Sequence, residues 1–265
     1  MSAVFPQQNN ISKGNLISTS AVSQCHRDHP QKHNTGEQDQ YVTIFSPTLG
    51  KIDARARGAR KINSSFIGHL EVLNICNFQL YKNQNHFTIT QCQIRKSYKN
   101  IRETLNQSML SFHLLEIFLK IAQSEENGDE LFDLIVQTLE KIDQNQKNHL
   151  HIETFKIKML DIAGALPNIS RCGNCDIRWT QESMIHIDEE GHISCFDCSS
   201  GNQTLIPFNT MKLIHFIQQS PFDQIEKIAM NQQEKTILKK IMAIFLHNYI
   251  SSELKTEKFI AHLHE

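Results

Sequence analysis

The sequence predicts an α+β protein in which a small antiparallel β-barrel comes first and a helical body follows, carrying a four-cysteine, zinc-ribbon-like insertion. Three observations carry this reading. From Tyr41 to Ile94, short apolar runs broken by turn residues repeat at the spacing of barrel strands. From about Ile101 the apolar period changes from two residues to that of a helix. Four of the seven cysteines fall within 27 residues as two C-x2-C pairs.

The barrel strands are read in order. YVTIF (41–45) leads through the turn SPTLG (46–50) into KIDARAR (51–57). That last run alternates: Ile52, Ala54 and Ala56 share one face, and Lys51, Asp53, Arg55 and Arg57 the other. ICNFQLY (75–81) and HFTITQCQI (86–94), joined by the polar link KNQN, form a hairpin. Residues 1–40 are rich in Gln, Asn, Ser, His and Gly, a composition that predicts a polar extension with little fixed structure. Within it only Leu16 to Val22 has the character of a strand.

The helices follow. The first begins near Ile101, with Leu105, Met109, Phe112, Glu116 and Leu119 on one stripe and Leu114, Leu115, Phe118 and Ile121 widening it, which predicts burial on most sides. A second runs from about Asp129 to Ile142, and a third from about His151 to Leu166, stopped by Pro167. Two more follow the cysteines, roughly Pro207 to Gln218 and Glu234 to Tyr249. The expected division is a 1–40 extension holding a possible first barrel strand, a 41–100 barrel, and a 101–265 helical domain with its metal module at about 168–202.

Composition narrows the function classes. With 39% hydrophobic and 21% charged residues, most of the 265-residue chain should fold. No run approaches the 18 apolar residues of a membrane helix, so a soluble cytoplasmic protein with no membrane partner is expected. The net charge of −1 hides an asymmetry. Lys51 to Arg102 holds ten Lys or Arg against two acids, a formal +8, whereas Glu103 to Leu150 holds three lysines against nine acids, a formal −6. One segment, not the whole chain, should attract polyanions. No phosphate-cradling glycine loop and no G-x-S-x-G elbow is present, and no catalytic set is expected.

Cys172, Cys175, Cys195 and Cys198 form C-x2-C, a 19-residue spacer and C-x2-C. Each pair can bend as a knuckle that places two thiolates on one tetrahedral edge, and two knuckles complete the closed shell of a structural zinc. Trp179, Ile187 and Ile193 are available to pack around it, and His186 or His192 could replace a thiol. A redox dithiol is the alternative use of such a pair. Cys25, Cys76 and Cys92 read as ordinary buried thiols.

Lys51, Arg55 and Arg57 on one strand face, with Arg60 and Lys61 just beyond Gly58, form a patch able to meet several phosphates, so these five are the expected nucleic-acid-binding residues. A solvated charged face is the plain alternative. Phe66, Tyr81, Phe87 and Tyr98 are candidates for base stacking or, equally, for the core, and alternation turns Phe87 inward with Ile89. An enzyme reading starts from His151-Ile152-Glu153 and Cys172-x-x-Cys175, which resemble the zinc nucleobase deaminase signature. Arg171 stands where that signature has Pro, and the second C-x2-C would have no use, so His151 and Glu153 read as an exposed first helical turn. A zinc-ribbon adaptor of transcription is a further alternative.

The ordered elements Ser46 to Lys51, Gly58 to Arg60 and Ser65 to Leu70, the helical stretch at 112–143 with its Asn127 to Phe132 step, and the two C-x2-C pairs resemble the RecO family of recombination-repair mediators over about 41–260. The resemblance implies an oligonucleotide-binding (OB) barrel and a structural zinc. It also implies a non-enzymatic protein that binds single- and double-stranded DNA and anneals complementary strands. The implied partners are RecR, the acidic tail of the single-stranded-DNA-binding protein and, indirectly, RecA, in a bacterial cytoplasm at the nucleoid. Lys51, Arg55, Arg57, Arg60 and Lys61 would lie on the DNA-binding surface, and Lys212, Lys239 and Lys240 are available to an acidic tail. The chain departs from the family just before Tyr41, where a polar segment (24–40) stands in place of the first strand. Either the strand at Leu16 to Val22 is followed by an inserted loop, or the barrel closes differently.

Overall fold

The computed structural model describes residues 15–26, 38–84, 86–144, 150–199, 203–250 and 252–257. The extension up to residue 14, most of the polar segment before Tyr41, the end of the cysteine module at 200–202 and the terminal residues 258–265 lie outside the described residues. The chain divides into two compact units, one of residues 1–97 with 124–128, the other of 98–123 with 129–265.

The first unit is a closed five-stranded barrel in the order β1-β2-β3-β5-β4, with β1 at Asn15–His26, β2 at Gln40–Ser46, β3 at Gly50–Ala56, β4 at Ile75–Asn83 and β5 at His86–Lys96. β1 is longer than the run Leu16 to Val22 that the sequence displays. Its first part pairs with β4, from Asn15 opposite Lys82 to Val22 opposite Ile75, and its second with β2, from Val22 opposite Phe45 to His26 opposite Tyr41. One strand thus serves two neighbours, and of the two ways the start could be built, an early strand followed by a longer connection is the one adopted. The polar residues of its second half gave no alternating pattern to read. β3 then closes the barrel in parallel against β5, with Ala54 to Ala56 beside Phe87 to Ile89.

The barrel core is Ala21, Val42, Ile44, Ala54, Ala56, Phe78, Leu80 and Ile89, joined by Ala59, Leu70 and Cys76. The expected alternation of β3 holds: its two alanines face this narrow interior, and Asp53 is exposed. Gly50 has φ +64°, and a Cβ there would stand 2.5 Å from the backbone of Ser124, so a side chain at the β2–β3 turn is excluded twice over.

The second unit holds α1 (Lys99–Glu103), α2 (Leu105–Ile121), α3 (Gly128–Asp143), α4 (Leu150–Ile162), α5 (Phe208–Gln219), α6 (Phe222–Ile225) and α7 (Gln232–Tyr249), with α4 packed against α2, α5, α6 and α7. Between α4 and α5 lies a three-stranded sheet, β7-β6-β8, formed by Ile193–Cys195, Ile185–Ile187 and Thr204–Ile206. Two helical expectations are corrected. Leu105 and Phe112 of the expected stripe of α2 are exposed, at 74% and 45%, while Leu119, Leu114, Leu115, Phe118 and Ile121 are buried as expected and Gln107 and Ser111 join them. α4 ends at Ile162, before Pro167, because Gly164 takes φ +66° and Ala165 and Leu166 donate back to the carbonyl of Leu160.

Candidate nucleic-acid interface and metal centre

The five basic residues lie along β3 and the turn that leaves it, but they do not share one environment. Lys51, half-buried, sits opposite Phe45. Arg55, opposite Tyr41, is committed to an acid that the sequence did not bring forward: its Nε donates to Asp39 Oδ2 at 2.8 Å, its Nη2 bonds the same oxygen, and the other oxygen accepts the N–H of Gly58 at 2.7 Å. Asp39 thus ties the base of the basic turn to the end of β3. Its burial alone would push the carboxyl up, but the Gly58 N–H and the guanidinium of Arg55, with Arg57 nearby, hold it below the usual carboxylate range.

Arg57, Arg60 and Lys61 are exposed. The turn that displays them is fixed by Gly58 at φ +64°, by Arg60 N–H to the carbonyl of Gln38 at 2.9 Å and by Lys61 N–H to the carbonyl of Gly58 at 3.1 Å. Three cations therefore project from a braced turn beside an Arg55 whose charge is offset by Asp39. Among the aromatic candidates, Tyr98 is fully buried in the helical unit, and Phe66 and Phe87 pack on the barrel core. Tyr81 remains half-buried.

The four cysteines of the second unit come together, with one sulfur from each lying within 4.8 Å of the others and Cys175 Sγ at 3.7 Å from Cys195 Sγ. A tetrahedron of Zn–S bonds near 2.3 Å has edges of roughly 3.8 Å, so this set is positioned to bind a metal ion. Two knuckles build it. In one, Asp176 at φ 60° lets its N–H reach the carbonyl of Cys172 at 3.0 Å; in the other, Cys198 ends a 3-10 turn, Phe196–Cys198. The knuckles are laced together by Gly173 N–H to Ile193 O at 2.8 Å and by Cys195 N–H to Cys172 Sγ at 3.3 Å. Burial would raise the Cys172 thiol, but backbone N–H groups from Cys175, Cys195 and Asn174 aim at it and bring it down to about 6, which favours the thiolate that a metal needs.

Neither histidine joins the cluster: His192 Nδ1 lies 3.1 Å from Asp188 Oδ2, and the His186 ring packs against Phe196. Trp179 donates its Nε1–H to the carbonyl of Ile169 at 3.1 Å. His151 and Glu153 are not an exposed helical turn. They are 6% and 4% exposed on α4, and Glu153 pairs with Lys156 at 3.1 Å, because this first turn faces the other helices of its unit. Glu153 is thus tied to a lysine, and all four thiols close on one another, which leaves no open ligand position of the deaminase kind.

The chain thus joins a closed five-stranded oligonucleotide-binding barrel to a helical unit that carries a four-thiol centre. Residues 31–98 match the family model described as Recombination protein O N terminal, and residues 102–258 match Recombination protein O C terminal. The chain is 29% identical over 205 residues to the DNA repair protein RecO of Dehalococcoides mccartyi (strain ATCC BAA-2266 / KCTC 15142 / 195), covering 77% of this chain and 81% of that one. It is 24% identical over 232 residues to the DNA repair protein RecO of Thermoanaerobacter sp. (strain X514), covering 86% and 92%. The chain belongs to the RecO family of DNA repair proteins. Among the described residues no helix is long and apolar enough to cross a membrane.

Proposed function

We propose that this protein is a recombinational repair mediator that binds single- and double-stranded DNA along Lys51, Arg57, Arg60 and Lys61, on a face that Arg55 braces through Asp39, and anneals complementary strands. With RecR it would help load RecA onto DNA coated by the single-stranded-DNA-binding protein, acting in the cytoplasm at the nucleoid. One observation carries the reading: three exposed cations stand on a braced turn at the edge of an oligonucleotide-binding barrel. Phosphate neutralisation by such cations supplies sequence-independent affinity, which a protein that acts on any gap requires. Lys235 and Lys239, which with Leu150 and the lysine-paired Glu153 line a small cleft between α4 and α7, suit the acidic tail of the single-stranded-DNA-binding protein. The ion held by the four cysteines would be zinc, with a structural role.

The test is annealing of complementary oligonucleotides coated with the single-stranded-DNA-binding protein. The wild type should speed annealing, and the variant Arg57→Glu, Arg60→Glu, Lys61→Glu should lose that effect while melting at the same temperature. Arg55 is left untouched, because its bond to Asp39 makes it part of the barrel's own structure. Equal annealing by variant and wild type would refute the assignment of the surface.

A further inference from the structure

Away from the basic edge, β1, β4 and β5 lie side by side, and their outward side chains come into register. Ser20, Asn77 and Gln93 form one row across the three strands, and Ser18, Gln79 and Gln91 the next. Phe78, between the rows, and Ala21 and Leu80, on either side of them, fill the core with Cys92 packed against it, and the six lie on the outward face, Ser18, Asn77, Gln91 and Gln93 being exposed. All six carry a hydroxyl or an amide, groups that both donate and accept, and Ser20 Oγ already donates to Asn77 Oδ1 at 2.8 Å.

The rows line a groove of about 560 Å3, bordered by Ser65, in which no Lys, Arg, His, Asp or Glu takes part. The outward face of β3, by contrast, carries Lys51, Asp53 and Arg55. A neutral concave face of amides is suited to the donor and acceptor edges of nucleobases rather than to phosphates. The groove also has fitting ends. The next row sets half-buried Tyr81 between Leu16 and Thr88, a surface for stacking, and exposed Arg95 lies further along β5 at the other end.

We propose that this face is a second nucleic-acid site, which holds a single strand by its bases while another strand lies by its phosphates on the basic edge. The proposal rests on the DNA-binding reading above. β3 pairs with β5 only at Phe87 to Ile89, short of Gln91 and Gln93, and pairs with neither β1 nor β4, so the two strands occupy different arcs of one barrel. Neutral side-chain hydrogen bonds to base edges are individually weak and exchange readily for Watson–Crick partners, which is what a strand awaiting its complement requires.

The full-length protein is saturated with a donor-labelled oligonucleotide, and a non-complementary, acceptor-labelled one is then titrated in, with sedimentation fixing one protein chain per complex. Energy transfer reports two strands on one barrel. The wild type should show it, and Gln91→Ala with Gln93→Ala should weaken the second strand about tenfold with first-strand affinity unchanged, circular dichroism confirming the fold. A wild type that holds only one strand per chain, or an amide variant that binds the second strand as tightly as wild type, overturns the proposal. So does DNA-independent self-association that these substitutions abolish, which would assign the face to a second copy. If the wild type binds neither strand, the DNA-binding reading has itself failed, a result distinct from normal first-strand binding without a second.

Discussion

Asp39 shows how one side chain sets the character of a surface. It neutralises Arg55, supports the Gly58 N–H, and leaves Arg57, Arg60 and Lys61 to face solvent. Because its folded pKa lies below the ordinary value of 3.8, the stabilisation it provides is present above about pH 4 and is lost as pH falls through the lower folded value. Asp39→Asn keeps an acceptor for Gly58 and releases Arg55, so single-strand binding should gain about one phosphate contact, a salt slope steeper by roughly 0.7. An unchanged slope would mean that Arg55 stays withheld from DNA.

His113 titrates in the opposite unit. Burial, with Lys156 near, pushes its pKa down to about 4 despite Glu116, and Nδ1 lies 2.8 Å from Thr256 Oγ1. The folded state therefore keeps the ring neutral. Its contribution is full above the unfolded value near 6.5 and disappears as pH falls toward 4, on the order of 3 kcal/mol in all. Denaturant titrations at pH 7 and pH 5 should show about 2 kcal/mol of that loss, and His113→Gln should flatten it. Glu116, the acid on an otherwise apolar stripe, is explained at this scale too. Its carboxylate accepts from Lys255 N–H at 2.8 Å and from Thr256 N–H at 2.9 Å, pinning the C-terminal segment. Glu116→Ala should cost about 1–3 kcal/mol and speed amide exchange at Lys255 and Thr256. Neither Asp39 nor Glu116 was legible from local sequence, since each acts on a partner far along the chain.

Among the elements, those with a strong period were legible and those set by tertiary partners were not. The β4–β5 hairpin, α3, α5 and α7 follow directly from alternation, helical stripes and caps; α7 even has its capping box between Asn231 and Glu234. α2 misled because it is apolar nearly all round, so spacing could not say which side meets α4. The short strands β6, β7 and β8 have three residues each and no readable period; they exist because the knuckles hold them. Cys195→Ser should accordingly bring bound zinc below one per chain and remove hydrogen-exchange protection from these strands while the barrel keeps its own. A chelator should have the same effect, and full zinc occupancy in the variant would contradict the four-thiol site.

At the scale of the whole molecule, the charge blocks of the sequence coincide with a division of labour. The +8 segment runs from Lys51 through the rest of the barrel unit to Arg102. The metal centre lies in the other unit, and its four thiols close on one another, which suits a structural role. The patch was legible as composition. Which of its members face solvent was not, because that depends on Asp39 and on the bracing of the Gly58 turn.

The most direct test of the central claim is the salt dependence of single-stranded DNA binding by the wild type and by Arg57→Ala, Arg60→Ala, Lys61→Ala. Each phosphate contact contributes about 0.7 to the slope of log affinity against log salt, so the account predicts a slope shallower by roughly 2 in the variant with an unchanged melting temperature. Identical slopes would place the DNA elsewhere on the protein and contradict it.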